Sequence, residues 1–379
     1  MSIYLLYIKV PKIDRVEYCY TLVNDFMDVA IAKYFVENNF SPYKKQYAEK
    51  VVEYIKQSMM NRIPEMEWLD DKTIEYAYKK IAAMTEIIGY QDSILDTEKL
   101  YEKYKDFEVT DDDFFTNYVN YNRYKNREQL RKSAFSKNEL LNMGNASSFK
   151  FDFNMEVSPQ TINAQYITLK NKMNIPAGIL QPPFFSSGIP DYINYGGIGS
   201  IIGHEFTHAF DNEGKNYDMN GNFSNWWTPN DIVDYMNLSM CFVKQYGEFY
   251  MEDKDGKKQN VNGRITLNEN LADNGGLARA YESWKLSQLE DAETVKQENQ
   301  QLPGLTQYTP DQLFFISFGH VWCENYYNSN SVIMSVIYDE HSPGFARVNG
   351  AVSNNKEFAK AFNCPLNSKM NPQNRCEIW

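Results

Sequence analysis

Apolar residues recur every three or four positions along much of this chain, with charged residues between them. This spacing places the apolar side chains on one face of a helix, so it predicts amphipathic helices. The predicted helices span Tyr43–Met60, Asp71–Ile88, Asp113–Tyr124 and residues of about 196–212, 228–250, 269–288 and 309–327. Gly89 is predicted to end the second of them, because glycine commonly follows the last helical residue. The pattern indicates a mostly helical protein.

The pattern changes between about residues 145 and 185. Apolar and polar residues alternate over Phe149–Phe153, and Gln165–Leu169 is rich in residues that favour strands. Prolines and glycines make residues 176–183 an irregular, turn-rich segment. We therefore predict an α+β fold, with a helical region at 1–128 and a mixed region at 129–379.

Composition narrows the classes of function. The chain has 379 residues, of which 43% are hydrophobic, so it can form a large core. Its 38 Lys and Arg against 50 Asp and Glu give a formal net charge of −12, which argues against nucleic acid as a partner. No apolar run reaches the roughly 18–20 residues of a membrane span, and the first residues do not resemble a signal peptide. These features predict neither export nor a membrane anchor.

The five cysteines do not fit this expectation as well, because disulfides would imply export. None forms a C-x-x-C pair, which argues against a zinc site built from cysteines. An odd number fits either buried free thiols or disulfides whose partners lie elsewhere, and composition leaves both open. Four sequons would permit glycosylation, although an Asn-rich chain also produces such triplets by chance. They begin at Asn39, Asn145, Asn222 and Asn237.

A metal-binding motif lies in the predicted helix at about 196–212. His204 and His208 are four residues apart, so a helix presents both imidazoles on one face, as two zinc ligands require. Glu205 projects beside them, where it can take a proton from water that the metal activates. The alternative is a pair of surface histidines. The preceding glycines are spaced one residue too far apart for a dinucleotide fingerprint, so nucleotide binding has little support.

A catalytic zinc site needs a third protein ligand. Glu269 and Asp273 lie one turn apart at the start of a predicted helix, so one can bind metal while the other orients an imidazole. By itself such a pair is usually a solvated helix face. Of the other histidines, His320 lies in an apolar run typical of a structural residue. His341 and Arg347 share a turn that is suited to stabilising an oxyanion and gripping a peptide carbonyl.

Several segments together resemble the C-terminal half of the neprilysin family, which includes the endothelin-converting enzymes. They occur in the family's order and extend over nearly the whole chain, although family members are much longer. The segments are Asn163–Tyr166, Pro176–Phe185, Asn194–Gly199, His204–His208, Glu269–Gly276, His341–Gly344 with Arg347, and Cys376–Trp379.

The resemblance implies one zinc ion per chain, bound by His204, His208 and Glu269, with Glu205 as the general base. Asp211 and Asp273 match the carboxylates that orient the two imidazoles. His341 matches the residue that stabilises the transition state, and Arg347 the residue that grips a substrate carbonyl. Asn163 and Ala164 match the pair that binds an extended peptide. The pocket for the residue after the scissile bond is implied at Ile179, Phe184, Val321 and Trp322, for which core packing is the alternative.

The resemblance also accounts for the cysteines. It implies a Cys241–Cys376 disulfide, whereas Cys19, Cys323 and Cys364 match cysteines whose partners lie in the family's N-terminal half. That half is not part of this sequence, so the chain is expected to be a fragment or a short product. Full-length members are membrane-anchored, which implies an extracellular or plasma-membrane ectodomain, and a homodimer is a possible assembly.

We therefore expect a thermolysin-like catalytic domain at 129–379, preceded at 1–128 by part of a helical lid domain and a linker. The expected activity is zinc-dependent cleavage of short extracellular peptides before hydrophobic residues. One alternative is a truncated, catalytically incompetent binding or structural protein. A second is a zinc aminopeptidase, which the sequence disfavours because it lacks a G-A-M-E-N type segment for a free amine.

Overall fold

The structure is a computed structural model that describes residues 14–134, 157–253, 256–290, 292–325 and 329–379. The predicted strand at Phe149–Phe153 lies outside these residues. The helices are α1 (Arg15–Phe26), α2 (Asp28–Asn39), α3 (Pro42–Arg62), α4 (Asp71–Ala83), α5 (Thr97–Tyr104), α6 (Phe114–Ala134), α7 (Asp191–Asn194), α8 (Ser200–Thr207), α9 (Pro229–Gly247), α10 (Leu267–Ser287), α11 (Ala292–Glu298), α12 (Pro310–Val321), α13 (Ser329–Tyr338), α14 (Gly344–Asn354) and α15 (Lys356–Ala361). The strands are β1 (Thr85–Gly89), β2 (Gln165–Ile167), β3 (Lys172–Pro176), β4 (Tyr250–Glu252) and β5 (Lys258–Asn260).

The chain forms two compact units, Met1–Asn39 with Tyr90–Gln160, and Phe40–Gly89 with Thr161–Trp379. The predicted domain boundary near residue 128 remains a prediction, since the two units follow a different division of the chain. In the first unit, apolar residues of α2, α5 and α6 form a small core, and Phe26 of α1 stacks on Tyr121 with ring centroids 3.9 Å apart. The second unit contains every residue predicted to bind metal.

A three-stranded sheet with the order β1-β3-β2 lies in the second unit. β1 pairs with β3 in parallel, so that Thr85 faces Lys172, whereas β2 pairs with β3 antiparallel. The predicted helix Asp71–Ile88 was therefore wrong beyond Ala83. Its last residues are β-branched, and such short apolar runs fit a strand as well as a helix. Gly89 ends the strand with φ of +73°, a conformation that favours glycine.

The helices α8 and α10 cross at unusually close range. Every residue of α8 is buried, and a π-helical turn at Tyr195–Gly199 leads into it. A Cβ atom built on Gly203 would lie 2.6 Å from the carbonyl oxygen of Gly276. One built on Gly276 would lie 2.5 Å from the backbone nitrogen of His204. Only glycine at both positions lets the two backbones touch, and this contact brings the two predicted metal-binding segments together.

Replacing Gly276 with alanine should destabilise the fold by about 1–3 kcal/mol, because the new methyl group meets rigid backbone and the helices must separate. Gly188→Ala is the matched control, since a Cβ there meets nothing within 4 Å. Thermal unfolding of both variants measures the effect. Equal melting temperatures would show that the crossing tolerates a wider separation than the structure implies.

A disulfide joins the C-terminal segment to α9. Cys241 and Cys376 are bonded, with Cα atoms 5.5 Å apart, which confirms the pairing that the resemblance implied. Trp379 is buried in a cluster of aromatic side chains formed by Trp68, Phe210, Trp227 and Tyr235. Its ring centroid lies 5.6–6.2 Å from the centroids of these four rings. In the described part of the chain, none of the helices is both long enough and apolar enough to cross a membrane.

Candidate active site

The two histidines of the motif converge as the spacing predicted. His204 lies in the last turn of α8, and His208 is the residue at which that helix ends. Their Nε2 atoms are 3.0 Å apart. His204 is buried, with 6% of its surface exposed, and His208 is half-buried.

Each imidazole is oriented by a carboxylate on its other nitrogen. Nδ1 of His204 lies 2.9 Å from Asp273, and Nδ1 of His208 lies 2.7 Å from Asp211. Ionised carboxylates only accept hydrogen bonds, so each Nδ1 carries a proton and each Nε2 is left to bind either a second proton or a metal ion. Two lone pairs 3.0 Å apart repel each other unless a cation or a proton lies between them. This is the arrangement of paired metal ligands with carboxylates behind them.

Glu269 of α10 supplies a third donor. Its Oε2 atom lies 3.1 Å from Nε2 of His204, and its Oε1 atom lies 3.6 Å from Nε2 of His208. Oε2 is buried and has no hydrogen bond of good geometry within the described residues. One ligand atom from each of the three residues lies within 4.8 Å of the others. Two imidazole nitrogens and a carboxylate oxygen match a catalytic zinc site, so these residues fit the metal.

The surrounding charges favour a cation at this point. Burial lowers the pKa of His204, but the carboxylates of Asp273 and Glu269 outweigh burial and raise that pKa to about 10. Burial opposes ionisation of Glu269, yet the neighbouring imidazoles keep its pKa well below the ordinary value. The negative charge of the carboxylates therefore favours a bound cation beside the two imidazoles.

Arg347 lies behind the metal-binding residues. Its Nε and Nη2 atoms donate to the two oxygens of Asp273, each at 2.7 Å, and its guanidinium lies 3.7 Å from the ring centroid of Trp322. The same Asp273 carboxylate accepts from His204. Burial opposes ionisation of Asp273, but Arg347 and His204 hold its pKa below the ordinary value. Arg347 thus fixes the carboxylate that fixes the first histidine.

His341 is partly exposed and faces the Glu269 carboxylate. Its Nε2 lies 3.2 Å from Oε2 of Glu269, which raises the pKa of His341. Its Nδ1 and its backbone nitrogen each lie 2.9 Å from Oδ1 of Asp339. The sequence reasoning missed Asp339, although an aspartate two residues before a candidate histidine is a visible signal.

A buried hydrogen bond connects the His341 turn to α10. Ser342 donates to Oδ1 of Asn270 at 2.7 Å, and Asn270 directly follows Glu269, the candidate third ligand. Asn270 also donates to Thr266 at 2.9 Å. No pattern in the sequence pointed to this pair, because its partners are 72 positions apart. The contact ties the predicted oxyanion stabiliser to the helix that carries the third ligand.

Glu205 is buried, with 7% of its surface exposed. No hydrogen bond or ion pair within the described residues engages its carboxylate. Its charge also affects His208. Burial lowers the pKa of His208, whereas the charges of Asp211 and Glu205 raise it. Glu205 therefore has oxygen atoms available next to the metal-binding residues, as a general base requires.

The predicted substrate-binding residues lie in the same unit. Asn163 accepts a hydrogen bond from the backbone nitrogen of Ala164 at 3.0 Å, and both residues lead into β2. Within the described sheet, β2 is an edge strand, and it packs against α8. Such an edge can pair with an extended peptide.

One of the four predicted pocket residues contacts the candidate site directly. Trp322 stacks on the guanidinium of Arg347. Ile179 is buried, and Phe184 and Val321 are half-buried. A cavity of about 850 Å³ lies elsewhere, beside Arg279 and the C-terminal segment, and none of the predicted metal or substrate residues lines it. The hydrophobic pocket stays a prediction.

Comparisons with known proteins agree with this site. Residues 163–378 match the profile of peptidase family M13, and residues 4–91 match a second profile of that family. An endothelin-converting enzyme homolog from Locusta migratoria is 37% identical over 362 residues, which cover 96% of this chain and 46% of the relative. Neprilysin from Homo sapiens is 35% identical over 366 residues, which cover 95% of this chain and 45% of the relative. The chain spans about half the length of these curated relatives.

Solved structures show the same fold. The zinc metalloprotease ZMP1 from Mycobacterium tuberculosis, in complex with an inhibitor, has a TM-score of 0.76 at 28% identity, with 97% of this chain and 51% of that chain covered. PepO from Lactobacillus rhamnosis has a TM-score of 0.75 at 28% identity, with 94% of this chain and 50% of that chain covered. These similarities confirm the predicted, mostly helical α+β class.

Proposed function

The chain belongs to peptidase family M13, and on that premise we propose that the protein is a zinc-dependent endopeptidase. One observation carries the proposal. The Nε2 atoms of His204 and His208 face each other and a buried oxygen of Glu269, while carboxylates take up both Nδ1 atoms. The two Nε2 atoms repel each other unless a proton or a cation lies between them, and for a metal cation the three residues form a complete ligand set.

The side chains divide the work of peptide hydrolysis between them. His204, His208 and Glu269 would hold the metal, and Asp211 and Asp273 orient the two imidazoles. A zinc ion bound there would supply Lewis acidity for the scissile carbonyl and for the attacking water.

Glu205 acts as the general base. Its carboxylate takes a proton from the attacking water and delivers that proton to the departing nitrogen. Burial excludes bulk water from this carboxylate, so the proton remains available for the leaving group.

His341 and Arg347 stabilise charge that develops on the substrate. The imidazole of His341 is fixed by Asp339 and faces the metal-binding carboxylate, so it can donate to the oxyanion. Arg347 uses Nε and Nη2 to bind Asp273, and Nη1 has no hydrogen bond within the described residues. That remaining nitrogen is the group we assign to a substrate carbonyl.

The substrates we propose are short extracellular peptides, cleaved before a hydrophobic residue. Asn163 and Ala164, at the start of an edge strand, would bind the peptide backbone, and Ile179, Phe184, Val321 and Trp322 would line the pocket. The Cys241–Cys376 disulfide supports an extracytosolic location, because disulfides persist in oxidising compartments. We assign catalysis to the proposed domain at 129–379 and a covering role to the helical residues before it.

Hydrolysis of an internally quenched peptide with a blocked N-terminus tests this proposal. We expect cleavage on the amino side of a hydrophobic residue, loss of activity with a chelator and recovery with one equivalent of zinc. Release of single residues from unblocked peptides only would identify an aminopeptidase. Folded, zinc-loaded protein that binds the peptide without cleaving it would identify a binding protein instead.

A further inference from the structure

A lysine is completely buried next to the second metal-binding histidine. Lys80 lies on α4, and its relative exposure is 0%. Its ammonium donates three hydrogen bonds to backbone carbonyls, at 2.7 Å to Ala209, 2.8 Å to Gly214 and 2.8 Å to Tyr217. An ammonium has three N–H groups, so this cage satisfies all of them.

Burying this charge is unfavourable. Burial lowers the pKa of Lys80 to about 7, and the longer-range attraction of Asp211 and Asp218 offsets only part of that effect. No carboxylate forms an ion pair with Lys80 within the described residues. Burying an ammonium without a carboxylate at contact distance costs free energy, which its hydrogen bonds must offset. The position of the three carbonyls that accept these bonds therefore indicates what Lys80 does.

All three carbonyls belong to the loop that follows His208. The loop carries Asp211, which accepts from His208 through Oδ2 and from the backbone nitrogens of Glu213 and Gly214 through Oδ1, at 2.8 and 2.7 Å. Gly214 is therefore held on both sides, with its N–H on Asp211 and its carbonyl on Lys80. A Cβ at Gly214 would lie 1.8 Å from the carbonyl oxygen of His208, so the loop folds tightly back on the histidine.

We propose that Lys80 is a positioning residue for the metal site. Its ammonium gathers the loop into the shape in which Asp211 orients the imidazole of His208, so that the ligand set is preorganised before metal binds. The inference rests on the proposed zinc site, but it concerns a residue more than 120 positions away in sequence from the carbonyls that it binds.

Zinc affinity separates this role from a general contribution to stability. Lys80→Met keeps the length of the side chain and removes the ammonium. We expect its zinc dissociation constant to rise about 10- to 100-fold, the range typical for loss of outer-shell partners. Lys79→Met is the matched control, because Lys79 is exposed on the same helix and pairs only with Glu75 among the described residues. Competition with a chromophoric chelator measures both constants.

A double-mutant cycle tests whether Lys80 acts through Asp211. If it does, adding Lys80→Met to Asp211→Asn should weaken zinc binding much less than Lys80→Met does alone. Lys80→Ala adds a rescue experiment, because n-propylammonium replaces the missing atoms. Propylammonium should restore zinc affinity, whereas tetramethylammonium at equal ionic strength has no N–H donor and should not.

The native chain provides a test that needs no variant. Hydrogen exchange of metal-free protein should show the amides of Glu213 and Gly214 already protected. If these amides exchange freely until zinc is added, zinc orders the loop and the inference fails. It fails equally if Lys80→Met binds zinc within twofold of the native protein. If the native protein itself binds no zinc, the proposed function is wrong.

Discussion

Replacing Glu205 with glutamine should lower the rate of peptide hydrolysis by about 100- to 10,000-fold, the range typical for loss of a general base. The amide has nearly the same shape as the carboxylate but cannot take a proton. Zinc content should not change, because the proposed ligands are His204, His208 and Glu269, and Glu205 is not among them. Single-turnover cleavage of the blocked peptide, together with zinc analysis, measures both quantities.

Glu248→Gln is the control for this experiment. Glu248 lies at an exposed position after α9, away from the loop that follows His208, so its replacement should leave hydrolysis unchanged. Full activity in Glu205→Gln would mean that another residue takes the proton, and His341 would then be the candidate. A loss of zinc together with activity would instead place Glu205 among the ligands.

Glu269→Gln should remove most of the bound zinc. A neutral amide is a poor ligand for this metal, and the change also removes the anion that faces both imidazoles and lies 3.7 Å from Nη2 of Arg347. Losing a residue that only supports a ligand lowers metal affinity by about 100-fold at most. Losing a ligand itself should lower zinc affinity further. Glu248→Gln, at an exposed position after α9, should bind zinc normally.

Normal zinc content in Glu269→Gln would mean that the third ligand is misassigned. His341 is then the alternative, since its Nε2 atom lies 3.2 Å from the same Glu269 oxygen. His341→Ala decides between the two ligands. With Glu269 as ligand, this variant should keep its zinc and lose turnover, whereas with His341 as ligand it should lose the metal.

The parts of the site that depend on local spacing could be predicted from the sequence. Two histidines four residues apart on a helix must share a face, so His204 and His208 were identifiable without coordinates. The resemblance added Asp211 and Asp273, but Lys80, Asn270 and Ser342 were not identifiable, because their contacts join distant segments. Lys80 reaches carbonyls across at least 129 positions, and nothing in the helix pattern of α4 distinguishes it from exposed lysines.

The fold shows the same division. Long helices such as α3 and α10 were predicted close to their observed bounds, because many turns of periodic sequence define them. β1 was mistaken for the end of a helix, since what makes it a strand is its pairing with β3 more than 80 positions later. Pairing at that distance leaves no periodic signal in five residues.

The aromatic cluster around Trp379 provides an intrinsic spectroscopic signal close to the candidate metal site. Of six tryptophans, Trp68, Trp226, Trp227 and Trp379 lie in this cluster, and Phe210 at its edge is two residues from His208. The Lys80 ammonium lies 5.7 Å from the ring centroids of both Phe210 and Trp226. Indole rings at such distances couple electronically, so near-ultraviolet circular dichroism and tryptophan emission should report on the loop after His208. Metal loading can then be followed in real time without any attached dye.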